Sequence, residues 1–311
     1  MYIGFNFRGK VEHETHAELG WYEKQLVPYW ESKLMGWKLW YSTDVDMFGK
    51  REPRLVVPEE APKHISGYVA PPEFGHDIMT VSETFGAGGL CLFEDPTRLG
   101  AISRPRFNPY LDKGPVHAAR YSYHTVLNGP LRSMVKVRCL NWRTGRGEYE
   151  YEQTYTAYKN KSYSISTVHF TTFLPEERGT EFGCGIRKMP NEYTTLRNEG
   201  MVVSFAKDVI ASDPDVEKEW ETQLRLDFEG IALVVPDTYK PRYQFVEAYE
   251  GNHAMRIPVT ENFTYEYLIA AGWSEGTINR NEQEFRKYML DTQKEYNNPV
   301  VIRDIKVEYK Q

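Results

Sequence analysis

Alternating apolar and polar residues dominate the middle of the chain, between Gly114 and Phe173. Turn-forming Gly, Asn and Pro residues or the tripeptide Lys-Asn-Lys bound the runs VHAARYSYHTVL, LRSMVKVRCLNW, EYEYEQTYTAYK and SYSISTVHFTTF. Each run is rich in β-branched and aromatic residues, which pack well on a pleated surface. The pattern therefore predicts consecutive long antiparallel strands joined by short connections.

Other segments extend this prediction to the whole chain. Further strands are predicted at GTEFGCGIRKMP, GMVVSFAK, EGIALVVP, FTYEYLIAAGW and VVIRDIKVEY. A helical period over residues 279–297 places apolar side chains from Phe285 to Tyr296 on one face, and Pro299 follows its end. Residues 52–75 are rich in proline and predict a long irregular loop. The fold class expected is mainly β, an antiparallel β-sandwich with a C-terminal helix, in one domain over residues 1–311.

Composition excludes several classes of protein. The longest apolar runs are far shorter than the ~20 residues that cross a bilayer, so we expect no membrane span. Basic residues are scattered and the net charge is −6, which argues against nucleic-acid binding. An anionic ligand would need a local basic patch. Aromatic residues make up 14% of the chain, a surplus that suits either a sugar site or strands of a sandwich.

Cysteines and histidines give little indication of a metal or redox centre. Cys91, Cys139 and Cys184 form no metal motif and no disulfide framework, so we expect at least one free thiol that behaves as a small buried hydrophobe. His13 and His16 are three apart but lack a third ligand in register, which leaves a metal ion possible but unsupported. No cofactor is expected. The opening residues MYIGFNFRGK lack the pattern of a signal peptide.

The turn at Asn128-Gly129 predicts a polar face on the central strands. If it pairs Val126 with Arg132, alternation places one polar set on a single face, namely Arg120, Ser122, His124, Arg132, Lys136 and Arg138. The opposite face then carries core residues, namely Tyr121, Tyr123, Leu131, Val135 and Val137. Glu150 and Glu152 would lie beside Arg138 and Lys136. This face is either a solvated set of cross-strand ion pairs or a floor that binds an acidic ligand.

Several short motifs occur in a fixed order along the first two thirds of the chain. They are Trp30-Glu31, Val45-Asp46-Met47-Phe48-Gly49-Lys50-Arg51, Gly75-His76-Asp77, Phe85-Gly86-Ala87-Gly88-Gly89, Asn128-Gly129-Pro130-Leu131-Arg132 and Gly183-Cys184-Gly185-Ile186. Together with the C-terminal helix, this order resembles a bacterial family once known only as a domain of unknown function. Its members occur in polysaccharide-utilisation loci and include an ulvan-oligosaccharide dehydratase.

The resemblance implies a galactose-mutarotase-like super-sandwich and an anionic oligosaccharide substrate. The implied enzyme is a carbon–oxygen lyase that eliminates water across C4–C5 of a non-reducing-end uronic acid and leaves an unsaturated uronyl residue. It also implies a periplasmic or secreted location. A polysaccharide lyase on the same sugars, a non-catalytic carbohydrate-binding sandwich and an aldose-epimerase-like enzyme remain open.

Such an elimination requires a base, an acid and a cation. The cation neutralises the carboxylate and so stabilises the enolate that develops when the neighbouring proton leaves. A base takes that proton and an acid protonates the departing oxygen. We expect His124 to be the base or acid, with Lys50 and His64 as further catalytic candidates, and His124→Ala to lose turnover with the fold kept. A structural histidine and an ordinary turn lysine are the competing interpretations.

The expected substrate-binding residues are Arg120, Arg132, Trp30, His76 and Asp77. The arginines would bind a carboxylate or sulfate, although surface ion pairing would also explain them. Trp30 would stack on a sugar ring, although a core tryptophan is an equally ordinary role. Asp77 would orient a histidine, or cap a turn.

Overall fold

The computed structural model consists mostly of antiparallel strands. It describes residues 12–22, 25–40, 43–56, 75–95, 102–105, 119–210 and 224–300. The elements in chain order are β1 (Thr15–Tyr22), β2 (Gln25–Ser32), β3 (Met35–Trp40), β4 (Asp44–Lys50), β5 (Gly75–Asp77), β6 (Ala87–Phe93), β7 (Ile102–Ser103), β8 (Arg120–Asn128), β9 (Arg132–Arg143), β10 (Gly147–Tyr158), β11 (Tyr163–Pro175), β12 (Glu181–Arg187), β13 (Glu192–Asn198), β14 (Met201–Ile210), β15 (Leu224–Val234), β16 (Arg242–Val246), β17 (Asn252–Ile257), β18 (Thr264–Trp273) and α1 (Glu282–Asn297).

The described strands form three sheets. The large sheet has the order β13-β14-β15-β18-β11-β10-β9-β8, and the N-terminal sheet has the order β1-β2-β3-β4-β5. The third sheet has the order β16-β17-β12-β6-β7. One buried cluster contains side chains from all three, because the large sheet packs one face against the other two sheets. The predicted fold class, an antiparallel β-sandwich with a C-terminal helix, is thus confirmed.

The central strands β8 to β11 follow the predicted alternation. Val135 and Val137 are buried, and Tyr121 and Tyr123 pack against the core from the same face. Two details were wrong. Beyond a bulge between Thr125 and Leu127, His124 pairs with Lys136, which is two residues from the predicted pairing and keeps each side chain on its expected face.

The other detail is Leu131, which was expected in the core. It is 62% exposed because it lies in the turn before β9 begins, where alternation no longer applies.

Helix α1 covers the opposite face of the large sheet. Phe285 and Met289 are fully buried against the strand residues Phe205 and Phe228. A Cβ at Gly230 would lie 2.3 Å from the Phe285 ring, so this glycine lets the helix approach the sheet. Asn281 caps the helix by accepting a hydrogen bond from the Glu284 backbone. The helix lies within the predicted range 279–297.

Smaller predictions have mixed outcomes. All three cysteines are buried and free, as was expected of at least one of them. Most of the predicted loop at 52–75 and the strand predicted after residue 299 lie outside the described residues. Among the described residues, no helix is both long enough and apolar enough to cross a membrane.

Candidate functional site

The predicted basic face lies on the outer surface of the large sheet. Arg120, His124 and Arg132 are exposed, and His124 pairs across the ladder with Lys136. Lys136 Nζ lies 2.8 Å from Glu152 Oε2, and both side chains are about one third exposed. This part of the surface therefore contains the solvated cross-strand ion pairing that the sequence allowed. We call these residues the outer strip.

Trp30 and Lys50 lie in the interior. Trp30 is fully buried, stacks on Tyr155 with ring centroids 4.6 Å apart and donates its indole N–H to Ser164 Oγ. Its ring therefore has no exposed face for a sugar, which corrects the expectation of stacking. Lys50 is also fully buried, paired with Glu31 and donating to the backbone oxygens of Ser32 and Arg54. Its protein partners satisfy all three N–H donors, which assigns it to the core rather than to catalysis.

The motif around β4 and β5 builds a buried polar group instead. Lys38 and Asp46 are direct cross-strand partners on β3 and β4, and Lys38 Nζ lies 3.3 Å from Asp46 Oδ2. Asp77 at the end of β5 completes the group, with Oδ2 3.5 Å from Lys38 Nζ. Burial, and then Asp77, raises the pKa of Asp46 well above its usual range, while Lys38 opposes the shift. Burial also raises the pKa of Asp77. One cation and two crowded carboxyls therefore favour keeping a proton in this group.

Arg187, Asp208 and Glu229 extend this group across the sandwich. They lie at the ends of β12 and β14 and within β15, and all three are buried. Asp46 and Asp77 both raise the pKa of Glu229, which places the two groups within electrostatic reach of each other. We call the six residues Lys38, Asp46, Asp77, Arg187, Asp208 and Glu229 the charge layer.

Glu229 is the least satisfied residue of the charge layer. It is fully buried, and neither carboxylate oxygen has a hydrogen-bond partner within the described part of the chain. Burial, followed by the charge of Asp208, raises its pKa well above the usual range, while Arg187 opposes the shift. Arg187 Nε and Nη1 likewise lack partners among the described residues. Burial therefore favours the protonated form of Glu229, which can donate a proton.

His76 borders the charge layer on its more exposed side. Its Nδ1 lies 2.6 Å from the Asp77 carbonyl oxygen. A carbonyl can only accept, so Nδ1 carries the proton and the Nε2 lone pair is available to act as a base. Burial lowers the pKa of His76, which keeps the ring neutral. His76 thus has both the tautomer and the protonation state of a general base.

Trp273 connects His76 to Glu229. Trp273 pairs with Glu229 across β18 and β15, and a Cβ at Gly49 would lie 2.5 Å from its ring. Gly49 in turn pairs with His76. The close packing at this glycine brings the N-terminal sheet onto the tryptophan, so Trp273 lies between the strand that carries His76 and the strand that carries Glu229.

Arg51 supplies a cation beside the same ring. Its guanidinium lies 5.4 Å from the Trp273 ring centroid and donates to Glu275 Oε2 at 2.6 Å through Nε. Both side chains of this pair are partly exposed. Arg51 therefore places a guanidinium, already paired with Glu275, at the more exposed border of the layer, where an incoming carboxylate would have to compete with that pair.

The structure divides the residues predicted from the sequence. His76 and Asp77 belong to the charge layer or its border, Trp30 and Lys50 are core, and Arg120, His124 and Arg132 lie on the outer strip. His64 lies outside the described residues. The large sheet separates the outer strip from the charge layer, so the predicted residues do not form one site.

Sequence reasoning missed Arg187, Asp208, Glu229 and Trp273. A signal existed for two of them. Arg187 directly follows the motif Gly183–Ile186, and Glu229 precedes the apolar run GIALVVP, where alternation places a charge on a core face. Within the described residues, no set of three or more His, Cys, Asp or Glu side chains has the arrangement of a metal site.

The fold and the charge layer together define a β-sandwich with a buried acid, a neutral histidine and nearby arginines. The chain belongs to the family described as Domain of unknown function (DUF4861), whose model matches residues 9–302. No curated protein matches the chain. Among solved structures it is similar to a 4-alpha-glucanotransferase from Thermococcus litoralis, with 10% identity and a TM-score of 0.35. That match covers 83% of this chain and 41% of the other.

Proposed function

We propose that this protein is a carbon–oxygen lyase that acts on oligosaccharides with a uronic acid at the non-reducing end, as in ulvan. In this proposal it removes water across C4–C5 and leaves an unsaturated uronyl residue. The sequence motifs support the choice of substrate. The charge layer and His76 at its border support the choice of reaction, because burial shifts the pKa of Glu229 upward and that of His76 downward, as an acid and a base require.

Each requirement of the elimination has a candidate group in the charge layer or at its border. Arg51 or Arg187 would bind the uronate carboxylate and stabilise the charge that develops on it when the C5 proton leaves. His76 Nε2 would take that proton. Glu229 would protonate the C4 oxygen, so that water departs rather than hydroxide, and because Glu229 is fully buried this step requires the charge layer to open to the substrate.

The observation that carries the proposal is Glu229. A fully buried carboxyl without a hydrogen-bond partner in the described residues destabilises the fold, and such groups are concentrated at functional sites. Its raised pKa suits an acid that works near neutral pH. A purely structural role does not account for leaving Glu229 and two nitrogens of Arg187 without hydrogen-bond partners in the part of the chain that the structure describes.

A mass-spectrometric assay tests the proposal. The protein would be incubated with uronate-ended oligosaccharides, and the expected product has lost one water at unchanged chain length, with new ultraviolet absorbance from the double bond. A polysaccharide lyase uses the same groups but expels a sugar oxygen, so shortened chains would assign that activity instead. Retardation of the polysaccharide in an affinity gel without any product would indicate a carbohydrate-binding protein. No product and no retardation would refute a role with these sugars.

A further inference from the structure

A second polar arrangement lies at the edge between the third sheet and the large sheet. His253 on β17 is 4% exposed, and its Nε2 lies 2.7 Å from Glu192 Oε2 on β13. Its Nδ1 lies 2.9 Å from the Tyr243 hydroxyl. Ser204 donates a further hydrogen bond to the same oxygen of Glu192. The four side chains form a continuous chain of hydrogen bonds that ends at Tyr243.

The hydrogen bonds fix the protonation of this chain. Burial alone would raise the pKa of Glu192, but the hydrogen bonds from His253 and Ser204 bring it below its usual range. Glu192 is therefore a carboxylate and accepts from Nε2–H, and in the neutral ring Nδ1 then accepts from the Tyr243 hydroxyl. The hydroxyl is thus oriented, and its oxygen also accepts a hydrogen bond from Arg197.

Tyr243, Phe245 and Arg197 form a partly exposed surface in front of this chain, which we call the edge patch. Tyr243 and Phe245 alternate along β16 and share a face, and Phe245 is 39% exposed with its ring 5.4 Å from the His253 ring. The Arg197 guanidinium lies 4.8 Å from the centre of the Tyr243 ring. Within the described residues Arg197 is exposed and forms no salt bridge. Its charge is therefore available to an anion.

We infer that the edge patch is a second binding site, which takes the carboxylate of a sugar acid on Arg197 and its ring on the exposed face of Phe245. A guanidinium binds a carboxylate in a fixed geometry, and an aromatic face suits the apolar side of a sugar ring. His253 and Glu192 are positioning residues, since they act through Tyr243. The ligand belongs to the class of the proposed function, but the inference concerns binding alone and does not need turnover.

Arg242 provides a matched control. It lies on the same strand as Tyr243 and is also an exposed arginine, but Glu181 already neutralises it. If the edge patch binds by specific contacts, Arg197→Gln will weaken binding and Arg242→Gln will not. If any surface arginine attracts the ligand through its charge, both variants will weaken binding equally.

The test is a nuclear magnetic resonance titration of the full chain with methyl glucuronide, and with methyl glucoside as the uncharged control. We expect Arg197→Gln to weaken glucuronide binding by about tenfold or more, as for loss of a charge-assisted hydrogen bond. Phe245→Ala should weaken both sugars. Equal glucuronide affinity in Arg197→Gln and the unsubstituted protein would overturn the inference, as would equal loss in Arg242→Gln.

Two further measurements separate this site from others. Tyr243→Phe should shift the His253 Nδ1 nitrogen resonance and weaken glucuronide binding, whereas a merely structural tyrosine would leave binding unchanged. Glu229→Gln should leave binding at the edge patch intact even where it abolishes turnover. Loss of glucuronide contacts at Phe245 in Glu229→Gln would place the ligand in the charge layer and overturn the inference.

Discussion

The outer strip and the charge layer both contain acidic and basic side chains, but the pKa values of their carboxyls shift in opposite directions. On the outer strip, the hydrogen bond from Lys136 lowers the pKa of Glu152, and the charges of Lys136 and Arg138 lower it further against the opposing effect of burial. In the charge layer, burial raises the pKa of Glu229 although Arg187 lies nearby. The comparison shows that burial, rather than the sign of the nearest neighbour, decides which carboxyl can serve as an acid.

The largest expected effect comes from Glu229→Gln. The amide keeps the size of the side chain but has no acidic proton, so turnover should fall by about 10²–10⁴-fold, the range for a general acid. Product formation measured by mass spectrometry checks this prediction. Glu152→Gln on the outer strip is the matched control and should retain turnover. Equal effects of the two variants would remove the distinction between the two regions.

The next effect concerns His76 and pH. His76→Gln should also reduce turnover by about 10²–10⁴-fold. A base works when it is unprotonated, and burial lowers the pKa of His76, so activity should persist below pH 6.5 before it falls on the acidic side. The pH profile of kcat/KM measures this limb. An acidic limb above pH 6.5 would contradict the assignment of His76.

Lys50→Met should act on stability rather than on chemistry. Removing one partner of a fully buried ion pair leaves Glu31 uncompensated, which costs about 3–5 kcal/mol in the free energy of unfolding. Chemical denaturation measures the loss. The double variant Lys50→Met with Glu31→Leu should recover much of it, because both charges are then removed. A double variant as unstable as Lys50→Met would contradict this, because it would show that the ion pair itself, rather than the absence of an uncompensated Glu31 charge, stabilises the fold.

A smaller effect is expected in the pH dependence of unfolding. The folded-state pKa of Glu229 lies above its unfolded value, so the folded state binds the extra proton between these values. Stability from this group is therefore present below the unfolded pKa and is lost as the pH rises toward the folded pKa, by about 1.4 kcal/mol per pH unit at most. Glu229→Gln should abolish this slope. If the free energy of unfolding depends on pH in the same way in the variant, other carboxyls cause that dependence and not Glu229.

The smallest effect is expected from His124→Ala. The sequence alone made His124 the expected catalytic residue, but the charge layer now provides a base and an acid on the other side of the sheet. Turnover in this variant should therefore remain within about twofold of the unsubstituted protein, since removal of a general acid or base costs far more. Loss of turnover with the fold intact would return the site to the outer strip.

Alternation along the strands was enough to predict the β-sandwich and the buried face of β8 and β9. It could not predict the site, because the charge layer gathers residues from strands far apart in sequence. The spacing of Asp46, Arg187 and Glu229 along the chain contains no sign that they meet. The acidic residue directly before the apolar run 230–235 was the local signal for Glu229, although Asp227 stands two positions earlier. Trp30 is the converse case, a residue predicted in the site that lies in the core. Residue type alone cannot separate a core tryptophan from one that stacks on a sugar.

The central claim is that burial keeps Glu229 protonated at neutral pH, and infrared difference spectroscopy tests it most directly. The unsubstituted protein should show the carbonyl stretch of a protonated carboxyl at neutral pH, and Glu229→Gln should lack that band. A spectrum without the band in the unsubstituted protein, or with the same band in the variant, would contradict the claim.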